Sequence, residues 1–241
     1  DNVAAAVKKF GIQYPVVLDN DYSTWMAYQN QYWPHEYLID IDGFIVHDHI
    51  GEGDYQNTEK AIQAALEERA RVLGLGQSVV DSIANTPLTS ETAPPVAGSP
   101  ETYFGSARNQ YLGNGAQGTL GLQTLTLPDS FDLNTLYLSG SWNFQDQYAE
   151  NTSADAHIVY HYSSQDVYMV AASDTTVSMT VLRDGKPVGA AAGEDVSSNG
   201  TVSIHADRLY KLVHDPAGAG EHTLELIIHN PGLQAYTFTF G

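Results

Sequence analysis

The chain contains no cysteine. That excludes a disulfide framework, a thiolate nucleophile and a sulfur-built zinc site within its 241 residues. Positive charge is almost as scarce, with 10 Lys and Arg against 29 Asp and Glu and a formal net charge of −19. Binding a phosphate backbone needs clustered cations, so nucleic acid is excluded as a partner. The same imbalance opposes docking on an anionic membrane surface. No apolar run approaches the roughly 20 residues of a membrane span, and no signal peptide opens the chain, so no membrane insertion is expected. What is present is a globular composition, 42% hydrophobic, on a chain long enough for one large domain or two small ones.

Two regimes divide the sequence. Residues 1–74 alternate helical and strand signals. A helix over 3–10 is ended by Gly11, and Pro15-Val16-Val17-Leu18-Asp19 has the pattern of a short buried strand. Asp21 or Ser23 is placed to cap a helix carrying Trp25, Met26 and Tyr28. Strands are expected over 36–40 and 44–50, joined by a tight turn at Asp42-Gly43. Asp54 or Asn57 then opens a long amphipathic helix with Ile62, Leu66 and Leu73 on its apolar side. This order is the second half of an α/β domain. Residues 75–100, ending in Thr92-Ala93-Pro94-Pro95-Val96-Ala97-Gly98-Ser99-Pro100, have the composition of a linker. From 101 onward strands follow one another closely, over 133–144, 156–162, 167–172, 176–182, 201–204, 209–213, 223–229 and 235–240. Asp184-Gly185 supplies a hairpin turn between 176–182 and 186–190. The expected architecture is therefore a partial α/β domain followed by an all-β antiparallel sandwich of jelly-roll type.

The run Tyr32-Trp33-Pro34-His35-Glu36-Tyr37-Leu38-Ile39-Asp40-Ile41-Asp42-Gly43-Phe44-Ile45 resembles the second half of thioredoxin-like proteins of the TlpA and ResA type. Tyr14-Pro15-Val16-Val17-Leu18-Asp19 looks like the extra strand of those proteins. More narrowly, Val17 to Trp25 and Gly51-Glu52-Gly53-Asp54-Tyr55 resemble the soluble C-terminal region of DipZ-type cytochrome c biogenesis proteins. Glu101-Thr102-Tyr103-Phe104-Gly105, Asp207 to Val213, Gly220 to Leu224 and Gln234 to Gly241 are similar to the carbohydrate-binding-module-like tail of that family. The resemblance implies an extracytoplasmic thiol–disulfide oxidoreductase acting on protein thiols and disulfides, with a membrane electron donor and no cofactor. Its chemistry needs a Cys-x-x-Cys pair at a helix N-terminus. No such pair is present, and it is expected upstream of Asp1. The resemblance further implies that Pro34 forms a cis peptide and that Trp33 and Pro34 line the groove for a substrate peptide. The rival class is a non-catalytic surface protein that binds glycan or protein through its β-sandwich.

Other candidates carry less. His47 and His49 share a strand face, as do His157 and His161, but no third ligand accompanies either pair and solvated strand-face histidines explain them. Asp19-Asn20-Asp21-Tyr22-Ser23-Thr24 starts like a calcium loop yet lacks its glycine and closing glutamate, so capping is the simpler role. Asn151-Thr152-Ser153 and Asn199-Gly200-Thr201 match the glycosylation sequon. Leu138-Ser139-Gly140-Ser141 is not a nucleophile elbow, and Gly113 to Gly118 has G-x-G-x-x-G spacing without a following helix. Trp142, Tyr160, Tyr162 and Tyr168 form a possible platform for the apolar face of a sugar, although strand parity with Leu136 and Leu138 favours the core for Trp142. The acidic excess suits a salt-rich or extracellular setting, or steers a basic partner.

Overall fold

The computed structural model describes residues 2–84 and 98–241, and the chain divides into two compact units, Asp1–Pro95 and Val96–Gly241. In the first unit the helices are α1 (Asn2–Lys9), α2 (Ser23–Ala27), α3 (Tyr55–Val72) and α4 (Gln77–Ala84). The strands β1 (His35–Ile39) and β2 (Ile45–Ile50) pair antiparallel, with His35 opposite Ile50 and Leu38 opposite His47. The turn between them is wider than a two-residue hairpin. The Asp40 carboxylate accepts from the amides of Asp42 and Phe44, both at 2.9 Å.

Three expectations need correction here. Pro15 to Asp19 forms no strand and Val16, Val17 and Leu18 are exposed. A strand needs a ladder partner, and among the described residues none lies beside this segment. The stretch 75–100 is not all linker, because α4 occupies its first part. Val79, Val80 and Ile83 fall at helical spacing, and Gln77 donates to Asp81 one turn on at 2.9 Å. Its Pro-rich part, 85–97, lies outside the described residues. Finally, α2 is short, and Asp21 meets only its first amide, that of Ser23, while the amides of Thr24 and Trp25 are met from further upstream, as described below.

The second unit is built from β3 (Thr102–Tyr103), β4 (Gly121–Leu125), β5 (Leu136–Phe144), β6 (Ala149–Asn151), β7 (Ala156–Ser164), β8 (Asp166–Ala172), β9 (Val177–Arg183), β10 (Lys186–Pro187), β11 (Thr201–Ile204), β12 (Arg208–His214), β13 (Gly220–Ile228) and β14 (Gln234–Phe240). All paired strands run antiparallel in one curled sheet of order β10-β9-β13-β7-β5-β6-β14-β8-β12, with β11 on β9, β3 on β14 and β4 on β5. The first half of β5, Leu136 to Ser139, pairs with β7, while Gly140 to Phe144 pairs with β4 and Trp142 to Phe144 with β6. Gly140 sits at the change of partner with φ +88°, so the glycine inside the false serine motif is the point where the strand bends from one side of the sheet to the other. Asp184 and Gly185, both at positive φ, turn β9 into β10 as the sequence predicts.

The two units differ sharply in burial. The curled sheet encloses a core that includes Phe104, Trp142, Phe144, Tyr160, Met169, Tyr210 and Phe238. Among the described residues of the first unit, Ala70 alone is a buried apolar residue, and Phe10, Val17, Met26, Trp33 and Phe44 are exposed. Hairpins of two strands are marginal without a covered apolar face. Residues 1–74 expressed alone are therefore expected to show no cooperative thermal transition, which calorimetry would reveal. Gly140→Ala places a methyl 2.8 Å from Ser153 Oγ and 3.0 Å from Ala156 Cβ at a positive φ. Its expected cost is about 1–3 kcal/mol in chemical denaturation.

Candidate functional site

The corner at Trp33 and Pro34, where the resemblance implies a groove, is held by local hydrogen bonding. The Asp19 carboxylate accepts from the amides of Thr24 and Trp25, both at 2.8 Å, which fixes the start of α2. Those bonds, the Thr24 amide foremost, hold the Asp19 carboxyl below its usual range. Capping thus explains the calcium-like run, although Asp19 is the principal acceptor and Asp21 reaches only the Ser23 amide, at 3.2 Å. Trp25 then meets Trp33 with ring centroids 4.5 Å apart. The Trp33–Pro34 peptide is cis.

Pro34 is anchored through its carbonyl, which accepts from the Gly51 amide at 2.9 Å. Its neighbour His35 contacts Asn30 Oδ1 at 2.6 Å, the Tyr37 hydroxyl at 2.7 Å and the Asp48 carboxylate at 3.2 Å. Burial, with the Asp48 charge behind it, raises the Tyr37 hydroxyl. Trp33 itself is 74% exposed, and among the described residues its backbone makes no hydrogen bond. The arrangement is a pinned corner with a bare main chain and an exposed indole, which can accept an extended peptide. It holds no thiol, because the chain has no cysteine.

The histidine pairs are structural. His47 and His49 are half-buried rather than solvated, and His47 Nε2 lies 3.5 Å from Thr58 Oγ1 on α3. In the β unit, His157 pairs with Glu225 at 2.7 Å and His161 with Glu221 at 3.1 Å. Among the described residues no group of three or more His, Cys, Asp or Glu side chains is placed to hold a metal. Asn151 of the first sequon is fully buried, with its amide donating to Ser153 and Asn230 carbonyls, whereas Asn199 of the second is exposed.

The sugar platform expected from four aromatics does not form. Trp142, Tyr160 and Tyr162 are 0% exposed and belong to the core. Trp142 donates from its ring nitrogen to the Ser139 carbonyl at 2.9 Å, and Tyr160 contacts Thr102 Oγ1 at 2.8 Å. Burial pushes both tyrosine hydroxyls up to about 12. Only Tyr168 reaches outward, where the Lys211 ammonium lies 5.3 Å from its ring centroid. A cleft that sequence reasoning missed lies elsewhere on this unit, lined by Tyr103, Arg108, Asp146, Gln147, Tyr236 and Thr237. Its residues come from three separate stretches, 103–108, 146–147 and 236–237, so no local pattern marks it.

Comparison with known proteins follows the two units. The family model described as "Thioredoxin like C-terminal domain" matches residues 99–241, the curled sheet. Over 240 residues, all of this chain, the sequence is 35% identical to Protein DipZ of Mycobacterium bovis and to that of Mycobacterium tuberculosis. The chain belongs to the DipZ-type thioredoxin-like family. It spans 32% of the length of those relatives. Among solved structures, a family two carbohydrate esterase from Clostridium thermocellum in complex with cellohexaose matches at 19% identity and TM-score 0.37, over 44% of this chain and 31% of that one. A family 6 carbohydrate-binding module matches at 13% identity and TM-score 0.29, over 61% and 98%. Likeness at that level carries no argument about ligand.

The two buried tyrosines differ in one respect that can be measured. Tyr160 has its partner in Thr102, while the Tyr162 hydroxyl is buried with no hydrogen-bond partner among the described residues. Tyr160→Phe is expected to cost about 1 kcal/mol, and Tyr162→Phe to be neutral or stabilising by about 1 kcal/mol. Equilibrium denaturation of both variants checks the difference in sign.

Proposed function

We propose that this chain is the C-terminal part of an extracytoplasmic thiol–disulfide oxidoreductase of the DipZ type, serving cytochrome c maturation or a related electron-transfer pathway. The observation that carries the reading is the 35% identity to DipZ over the whole chain. In this reading residues 1–74 are the second half of a thioredoxin-like domain and the curled sheet is a jelly-roll accessory module. Upstream strands of the same domain cover the apolar surface that the first unit exposes. The Cys-x-x-Cys pair also lies upstream.

One thiolate of that pair attacks a disulfide of a protein substrate, forming a mixed disulfide and releasing one substrate thiolate. The second attacks the enzyme sulfur of the mixed disulfide, releasing the other substrate thiolate and leaving the pair oxidised. A membrane electron donor returns two electrons to it. Trp33 and Pro34 hold the substrate backbone beside the exchanging sulfurs, and the unbonded main chain of Trp33 supports that role. Among the described residues no helix is long and apolar enough to cross a membrane.

Intact mass of the source polypeptide, with and without reduction and thiol alkylation, tests the assignment. Two alkylatable cysteines on a chain longer than 241 residues are expected. A cysteine-free polypeptide sinks the redox role. The second reading, a non-catalytic surface module for glycan or protein, is favoured by the aromatic and polar cleft on the β unit. It requires no cysteine and leaves the first unit as a supporting structure.

A further inference from the structure

The sequence holds two Asn-Gly pairs, Asn114-Gly115 and Asn199-Gly200. In an unfolded chain both carry the same chemistry, because glycine leaves the amide after the asparagine open to approach from the asparagine side chain. The fold treats them differently.

Asn114 is tied into the β unit. Its Nδ2 donates to the carbonyls of Thr126 and Leu138, at 2.8 and 2.7 Å, and its Oδ1 accepts from the Leu138 amide at 3.1 Å. The half-buried side chain thus cross-links its loop to β5. Gly115 beside it is packed closely, since a Cβ there would stand 2.7 Å from Leu112 Cδ2.

Asn199 sits in a turn just before β11 and is exposed, as are Ser197 and Ser198. Its Nδ2 has no hydrogen-bond partner among the described residues. Its Oδ1 accepts from the Thr201 hydroxyl at 2.8 Å and lies against the hydroxyl of Ser197. Those donors face the oxygen on which negative charge grows when a nucleophile adds to the side-chain carbonyl carbon, and they stabilise that charge. The Gly200 amide donates to the Ser197 carbonyl at 2.9 Å, a bond that closes the turn and that local motion of a surface turn opens. Gly200 has φ +78°, so the turn itself favours the glycine that makes the pair reactive.

We propose that Asn199 is a site of spontaneous deamidation in the folded protein and that Asn114 is protected from it. Base in the solvent takes the proton of the Gly200 amide, and the nitrogen attacks Asn199 Cγ. The new N–Cγ bond closes a cyclic imide. The Cγ–Nδ2 bond breaks, and Nδ2 takes a proton from solvent and leaves as ammonia. Water then adds to one imide carbonyl and opens the ring, leaving aspartate or its β-linked isomer. Nothing is oxidised or reduced. The product adds one negative charge to an already acidic chain and removes the asparagine of the second glycosylation sequon.

The test is peptide mapping by mass spectrometry of the full chain, incubated folded in 18O-water at mildly alkaline pH and digested afterwards in ordinary water. The 18O label then records only conversion that preceded digestion. Trypsin cleavage at Arg183 and Arg208 isolates Asn199 as the single asparagine of its peptide, and fragmentation of the 109–183 peptide reads Asn114. Label is expected to accumulate at position 199 with first-order kinetics. Conversion at Asn114 is expected to be slower by about tenfold or more, because three hydrogen bonds must open first. In a chain held unfolded in guanidinium chloride the two sites are expected to convert at similar rates, which assigns the difference to the fold. Equal rates in the folded chain, or faster conversion at Asn114, overturn the proposal. So does an unlabelled Asn199 in the folded chain over a period in which the unfolded chain becomes labelled there.

Discussion

Strand β5 is the constraint on which the second unit depends. One strand serves both sides of the curled sheet, with its first half laddered to β7 and its second half to β4 and β6. That sharing requires a bend in mid-strand, and the bend requires a residue tolerant of positive φ with no side chain at the inner corner. Gly140 meets both conditions. Once the strand turns, Leu136 and Leu138 on one side and Trp142 and Phe144 on the other all enter the same core. The buried tyrosines of β7 and the phenylalanines of β14 close against them, with Tyr160 and Phe240 stacked at 5.4 Å.

The first unit obeys the same rule and shows its other side. A hairpin pairs only one edge of each strand, and helices that meet little apolar surface bury little. The result is a unit whose specificity lies in short polar links: Asp19 to the start of α2, Asn30 and Tyr37 to His35, and Pro34 to Gly51. Those links position Trp33 and Pro34 with definition even though the apolar surroundings stay open.

Legibility differed between strands and surfaces. Strands of the second unit are readable because alternation of apolar and polar residues has a period of two, and six of the eight expected segments lie within two residues of the observed ones at both ends. The short β3, β4 and β6 escape because two to five residues carry too little pattern. Pro15 to Leu18 misleads in the opposite direction, since it has a strand composition without a strand to pair with. Aromatic count misleads about the site. Trp142, Tyr160 and Tyr162 are attractive as a platform only if their strand face is outward, and alternation alone does not say which face that is.

Composition and local pattern by themselves determined the absence of thiol chemistry within this chain, the change from mixed α/β to all-β and the hairpin turn at Asp184-Gly185. These depend on residue type or on neighbours a few positions apart. Which aromatics are core and which line a cleft was decided only by the tertiary structure. Tyr103, Arg108, Asp146, Gln147 and Tyr236 converge because β3 pairs with β14 and β6 pairs with both β5 and β14. The first of these pairings joins Tyr103 to Thr237, and the side of a sheet that meets water is fixed only when the whole sheet has curled over its core.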